Sequence, residues 1–167
     1  MAMKNKKLLI FVFFLVLNFL PQVFVLLSQP DNLMNWYLTD DAFYYFKTAQ
    51  NIAEGNGITF DGLTSTNGFH PLWMVICVPV FALARYDLFL PLRVIAAIQI
   101  LMNAASGYFL YLMFSKNISK TTAWIVAIFW MFFPPIHEIT TKSGLETGLN
   151  AFMLIVFIYT LSKMSWG

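Results

Sequence analysis

Pro71-Leu72-Trp73-Met74-Val75-Ile76-Cys77-Val78-Pro79-Val80-Phe81-Ala82-Leu83-Ala84 is an uncharged run, and whether it crosses a bilayer decides the topology of all that follows. A membrane span needs about 20 apolar residues, with about 17 at the low end. This run is shorter and holds Pro79 in its interior, so it is expected to be a re-entrant or interfacial helix. Working outward, four segments have the apolar content of spans: 8–27, 94–114, 121–136 and 147–162. The last two are slightly short and would rely on Lys120 and Lys163 snorkelling to the boundary.

The positive-inside count does not separate the two topologies. If 71–84 does not span, the inside residues are Lys4, Lys6, Lys7, Lys116, Lys120 and Lys163; if it does, they are Lys4, Lys6, Lys7, Arg85, Arg93 and Lys142. In the first arrangement every Asp and Glu lies outside, whereas the second brings Asp87, Glu138 and Glu146 inside. Helix length and acid segregation both favour the non-spanning arrangement. It predicts an all-α membrane module of about four transmembrane helices. A large extracytoplasmic loop, 29–90, carries two juxtamembrane helices near 40–54 and 71–84, residues 115–120 turn inside, and 137–146 return outside.

Composition agrees with this class. The chain has 167 residues, 59% of them hydrophobic, 18% aromatic and 11% charged, with a mean hydropathy of +0.70. A net charge of +2 with dispersed basic residues excludes nucleic acid as a partner. Cys77 is the single cysteine, so no intramolecular disulfide forms, and it sits as a small hydrophobe in an apolar run. Lys4-Asn5-Lys6-Lys7 precedes uncharged residues up to Pro30, which is expected to be a retained signal anchor. Asn117-Ile118-Ser119 matches a glycosylation sequon but falls on the inner side, where it stays unmodified.

The chemistry-bearing residues are few. Thr39-Asp40-Asp41-Ala42-Phe43-Tyr44-Tyr45-Phe46 opens an amphipathic helix that Gly55 is placed to stop. One acid there would serve as a helix cap and dipole partner. Two adjacent carboxylates at a membrane boundary exceed that need and favour a catalytic or cation-binding role for Asp40 and Asp41. Gly55 to Trp73 is rich in turn residues, with hydroxyls and amides, including Asn67, gathered around His70 in a manner suited to sugar recognition. Pro71 marks a helix start, where backbone N–H groups can face a phosphate. Arg85, Arg93 and Lys142 are outer cations, individually suited to interfacial anchoring and collectively to an anionic lipid ligand. His137 and Glu138 are expected to be solvated boundary residues. Ser143-Gly144-Leu145-Glu146 has the spacing of a capping box for the last helix, with Glu146 a second candidate for the site. A divalent cation would find ligands in Asp40 or Asp41 with His70, but no metal-ligand spacing is evident.

Together Asp40-Asp41-Ala42-Phe43-Tyr44-Tyr45, Gly57-Ile58-Thr59-Phe60-Asp61-Gly62, Thr66-Asn67-Gly68-Phe69-His70-Pro71-Leu72-Trp73 and Ser143-Gly144-Leu145-Glu146-Thr147 resemble the N-terminal part of GT-C glycosyltransferases. The similarity extends to protein O-mannosyltransferases, lipid A aminoarabinose transferases and, more closely, mycobacterial terminal arabinofuranosyltransferases. The resemblance implies a partial GT-C fold in a prokaryotic plasma membrane with its active face outside. It implies a polyprenyl-phosphate sugar as donor and a glycan, lipid or protein hydroxyl as acceptor. An acid of the Asp40-Asp41 pair would be the general base, with Asn67, His70, Arg85, Arg93, Lys142 and Glu146 binding substrate. Family members are much longer, so the helices completing a donor groove would come from a longer product or a second chain, and an inactive fragment is the alternative. A non-catalytic membrane protein that binds or carries a lipid-linked sugar is the rival expectation. An ion transporter is disfavoured because Asp40 and Asp41 fall at a boundary rather than mid-membrane.

Overall fold

A computed structural model of the chain describes residues 2–164. Among these residues it is helical throughout, apart from loops and one isolated antiparallel bridge between Thr59 and Ser65. The Lys4 side chain, one of the inside residues of the sequence-based topology, lies outside the description, as do residues 165–167.

The expected first span is divided. α1 (Ala2–Phe19) stops ahead of Pro21, turns through 20–22, and resumes as α2 (Val23–Leu27). Proline lacks the N–H that would continue the helical ladder and disfavours helical geometry in the residue before it. The break is lined with satisfied polar groups: Asn18 Nδ2 donates to Ile100 O at 2.9 Å, and Gln22 Nε2 donates to Asn18 O at 2.7 Å. The Tyr37 hydroxyl in turn donates to Gln22 Oε1. Burial raises the pKa of that phenol, which keeps it a donor at any ordinary pH.

α3 (Pro30–Tyr37) and α4 (Ala42–Ala53) follow, and a loop leads to α5 (Pro71–Phe81), extended by a 3₁₀ turn, Ala82–Arg85. At about 1.5 Å per residue, the 11 residues of α5 rise about 17 Å, roughly half the hydrocarbon thickness of a bilayer. α6 (Leu90–Asn117) is the long element, and its 28 residues rise about 42 Å. It starts four residues earlier than expected from the sequence, with Pro91 in its first turn. α7 (Lys120–Phe132) opens on a Ser119 cap whose Oγ accepts from Thr122 N. The span expected over 121–136 then breaks. Phe133 is extended ahead of Pro134-Pro135, and α8 (Pro134–His137) with a π turn (Glu138–Lys142) leaves at 54° to α7. α9 (Thr147–Met164) closes the described chain.

Two helices, α6 and α9, are long and apolar enough to cross a membrane, or three such elements if the bent α7–α8 pair forms one span. The sequence-based count of about four also included 8–27, which the structure divides at Pro21. Two cores hold the helices together. One packs Leu33, Phe46, Trp73, Cys77, Phe81 and Ile95 where α3, α4 and α5 meet the first half of α6. The other packs Phe14, Tyr111, Ala123, Ala127 and Met131 between α1, α6 and α7. Gly107 sets the α6–α7 spacing, since a Cβ there would lie 2.9 Å from Met131 Cγ. Small residues at such contacts let membrane helices approach closely.

Candidate functional site

Three segments far apart in sequence meet at one end of the bundle. Both the backbone N–H and the Oγ1 of Thr39, just before the Asp40-Asp41 pair, donate to Ser143 O, at 3.2 and 3.0 Å. Trp73, in the first turn of α5, donates from Nε1 to Gly144 O at 3.2 Å. Gln99, fully buried on α6, clamps the same loop from beneath: Nε2 donates to Leu145 O at 2.9 Å, and Gly144 N donates to Oε1 at 3.2 Å.

Gly144 makes the packing fit. Its φ of +76° is a left-handed conformation that side chains rarely adopt, and a Cβ there would stand 2.8 Å from Ala42 Cβ and 2.9 Å from Leu38 Cδ2. The 143–146 loop is therefore pressed against the start of α4, beside both acids.

Asp40 and Asp41 are exposed, and neither carboxylate makes a hydrogen bond among the described residues. Asp41 occupies the N-cap position of α4 in helical geometry, without a side-chain cap bond. The first turn is closed instead by the backbone: Ala42, Phe43 and Tyr44 N–H groups donate to the carbonyls of Thr39, Asp40 and Asp41. The capping role leaves both carboxylates free.

Behind them, Tyr45 Oη accepts from His70 N at 2.9 Å. Its phenol pKa is raised, first by burial, with the charge of the neighbouring Glu146 carboxylate adding to the rise and the His70 N–H opposing it. Tyr45 thus bonds the start of α5 and stands beside Glu146. Glu146 Oε2 and His70 Nδ1 are both shielded from solvent and have no partner among the described residues. An unpaired buried polar atom costs about 1–3 kcal/mol. A bound hydroxyl would relieve that cost at either atom.

The expected capping box of α9 is not formed. Ser143 Oγ donates to Ile139 O at 2.8 Å, and Leu145 N donates to it at 3.2 Å; the α9 end is closed by Asn150 N donating to Glu146 O. The reason is Gly144, whose left-handed turn redirects the chain between Ser143 and Glu146.

The other expected site residues are scattered. Asn67 is exposed and makes no hydrogen bond among the described residues. Lys142 adjoins Ser143, but its ammonium pairs with Glu138 at 3.2 Å and lies 5.2 Å from the Trp36 ring centroid. Arg85 stacks on Tyr86 beyond the end of α5, and Arg93 donates to Ser28 O at 3.1 Å at the α2–α6 junction. His137, expected to be solvated, is half-buried, with Nδ1 3.4 Å from Asn103 Nδ2, because the Pro134-Pro135 break turns it inward.

Tyr45 and Gln99 are site residues that pattern reading missed. Gln99 left a signal, as one of two amides, with Asn103, inside a long apolar run. On the opposite flank of α4 an apolar cavity of about 350 Å³ opens among Phe43, Phe46, Phe60, Phe81 and Leu88, with Lys47 in its wall. Among the described residues no three His, Cys, Asp or Glu side chains gather as a metal site.

No family model, curated protein or solved structure matches this chain.

Proposed function

We propose that the chain is the N-terminal membrane module of an inverting glycosyltransferase that moves a sugar from a polyprenyl-phosphate carrier to an acceptor hydroxyl. The observation that carries this reading is that the Thr39–Ser143, Tyr45–His70 and Trp73–Gly144 bonds join the three remote segments bearing Asp40-Asp41, His70 and Glu146, with both aspartates exposed and unengaged among the described residues. A carboxylate of the pair takes the proton of the acceptor hydroxyl as its oxygen attacks the anomeric carbon. The carbon–oxygen bond to the lipid phosphate breaks on the opposite face, so the anomeric configuration inverts. Glu146 accepts from sugar hydroxyls, His70 holds a hydroxyl or the departing phosphate, and Lys142 is the cation nearest in the chain. A positioned general base contributes about 10²–10⁴-fold.

The active face is extracytoplasmic. Thr39 contacts Ser143, so α6 leaves and the α7–α8 pair returns to one level, and α5 is too short to add a crossing. On this reading α1 and α2 form the first span, α9 the last, and a longer product or second chain supplies the rest of the donor groove.

The test uses membranes containing the whole protein, supplied with polyprenyl-phosphate arabinose, aminoarabinose or mannose. Asp40→Asn/Asp41→Asn is expected to lower transfer by about 10²-fold or more while the helical circular dichroism is unchanged. Turnover within a few-fold of the parent overturns the assignment. A second reading, a non-catalytic binder of the lipid-linked sugar, is favoured by the apolar cavity beside Lys47, which has no catalytic group in its wall. Saturable binding of the carrier with no transfer to any acceptor would decide for it.

A further inference from the structure

At the opposite end of α6, about 25 Å from Gln99 by helical rise, the chain builds a different kind of cavity. It has a volume of about 400 Å³ and lies between the start of α1 and the ends of α6 and α9. Lys7, Lys116 and Lys163 line it, one from each helix, together with Ser115, Asn117 and Ser162. No acid balances them: every Asp and Glu in the chain falls within residues 31–146, and none lies between 88 and 137. Lys7 and Lys116 make no ion pair among the described residues, while Lys163 lies 4.6 Å from the Tyr159 ring centroid. The Asn117 amide likewise has no hydrogen-bond partner among the described residues.

A second cavity adjoins it toward the membrane interior. This one, about 340 Å³, is lined by Leu8, Phe11, Ala105, Tyr108 and Phe109. The two share a wall, because Tyr159 of the lysine cavity packs its ring 5.1 Å from that of Phe109 in the apolar one. An ionic cavity beside an apolar groove, with the Phe109–Tyr159 pair between them, fits an amphiphile with an anionic head and a hydrocarbon tail.

We infer that this pair of cavities is a binding site for an anionic phospholipid of the inner leaflet, the phosphate among Lys7, Lys116 and Lys163 and an acyl chain along Phe11 and Phe109. The site does not depend on the glycosyltransferase reading; it rests on α6 and α9 crossing the bilayer. Basic pockets between membrane helices on the cytoplasmic side select anionic head groups. A lysine near such a surface contributes about fivefold, so three acting together amount to about 10²-fold.

The experiment compares retention of phosphatidylglycerol and phosphatidylcholine by the whole detergent-solubilised protein in native mass spectrometry. The parent is expected to keep phosphatidylglycerol preferentially, and Lys7→Gln/Lys116→Gln/Lys163→Gln to lose that preference by about 10- to 100-fold. Lys6→Gln/Lys120→Gln removes charge at the same end outside the cavity and is expected to retain it. Ala105→Phe fills the groove and is expected to weaken retention with every lysine in place. Equal losses in the two lysine variants would show diffuse surface attraction and overturn the site. Competition by inorganic phosphate as effective as the lipid would overturn the lipid assignment in favour of a free-anion site. Unchanged helical circular dichroism excludes misfolding as the cause of any loss.

Discussion

Replacing Gln99 by Leu keeps the size of a fully buried side chain and removes both ends of the clamp on the 143–146 loop. Two backbone groups lose their partners: the Gly144 N–H, now 3.2 Å from Oε1, and the Leu145 carbonyl, now 2.9 Å from Nε2. A buried polar group left unsatisfied costs about 1–3 kcal/mol, so the pair sums to about 2–6 kcal/mol. Leu145 is only half-buried, which lets water reach its carbonyl and puts the expected loss at about 2–4 kcal/mol. If that loss is local, the opening equilibrium of the loop rises by about 30- to 1,000-fold. Hydrogen exchange read by mass spectrometry on the solubilised chain measures it directly. A peptide covering 143–146 is expected to exchange faster by that factor, while one from the inner half of α9 stays as slow as in the parent. An unchanged rate at 143–146 in a folded variant would refute the assignment of Gln99 as the clamp, and with it the account of what holds Glu146 in place.

Gly144→Ala combines a left-handed φ with a Cβ 2.8 Å from that of Ala42, so it is expected to lower the thermal midpoint well beyond Gly62→Ala, which has φ +81° but nothing within 4 Å. The backbone cost common to both is about 1–2 kcal/mol, and equal midpoints would contradict the tight packing. The Asp61 carboxylate accepts from the Leu63 and Thr64 N–H groups, both at 2.8 Å, which holds its pKa below the usual 3.8. A lowered folded pKa means that this stabilisation is complete above pH 3.8 and disappears as pH falls through the folded value. Amide protection at Leu63 and Thr64 is expected to persist at pH 4 and fall only below it. Single cysteines at Asp61 and Glu138, both exposed, in a Cys77→Ser background are expected to react with an impermeant reagent from the same side of the membrane. Opposite-side labelling would require a crossing between them that α6 and the α7–α8 pair do not supply. The parent chain is expected to stay unlabelled and serves as the blank, since its Cys77 thiol is buried with its pKa pushed up to about 12.

Local signals in the sequence translated into structure where a single residue dictates the backbone. Pro71 and Pro91 fall in first helical turns, and Gly55 follows α4 with positive φ. Pro21 and Pro134-Pro135 carried the same kind of signal, yet the uniform apolarity around them suggested unbroken spans. Hydropathy measures what a segment is dissolved in, whereas the proline ring decides whether its hydrogen-bond ladder continues. Pro79 shows the converse. It lies within α5, where only the last turn follows it.

The candidate site was legible as chemistry and not as geometry. Asp40, Asp41, His70 and Glu146 stand out by residue type, but nothing local says that Thr39 bonds Ser143 or that Trp73 reaches Gly144. Tyr45 escaped notice because its ring belongs to the apolar face while its hydroxyl serves the polar cluster. Residue type alone does not place the cations. Long side chains find the nearest carbonyl, carboxylate or ring, so Arg85, Arg93 and Lys142 each rest on a partner of their own.

The bond between Thr39 and Ser143 joins residues 104 positions apart. A ribosome adding about 5–20 residues per second therefore leaves the Asp40 segment waiting about 5–20 seconds for its partner. Through that interval α6 and α7 must both be inserted. The 29–90 segment is among the earliest parts to emerge and among the last to be completed, so its maturation is timed by the arrival of α6, on which it packs, and of α7 beyond it.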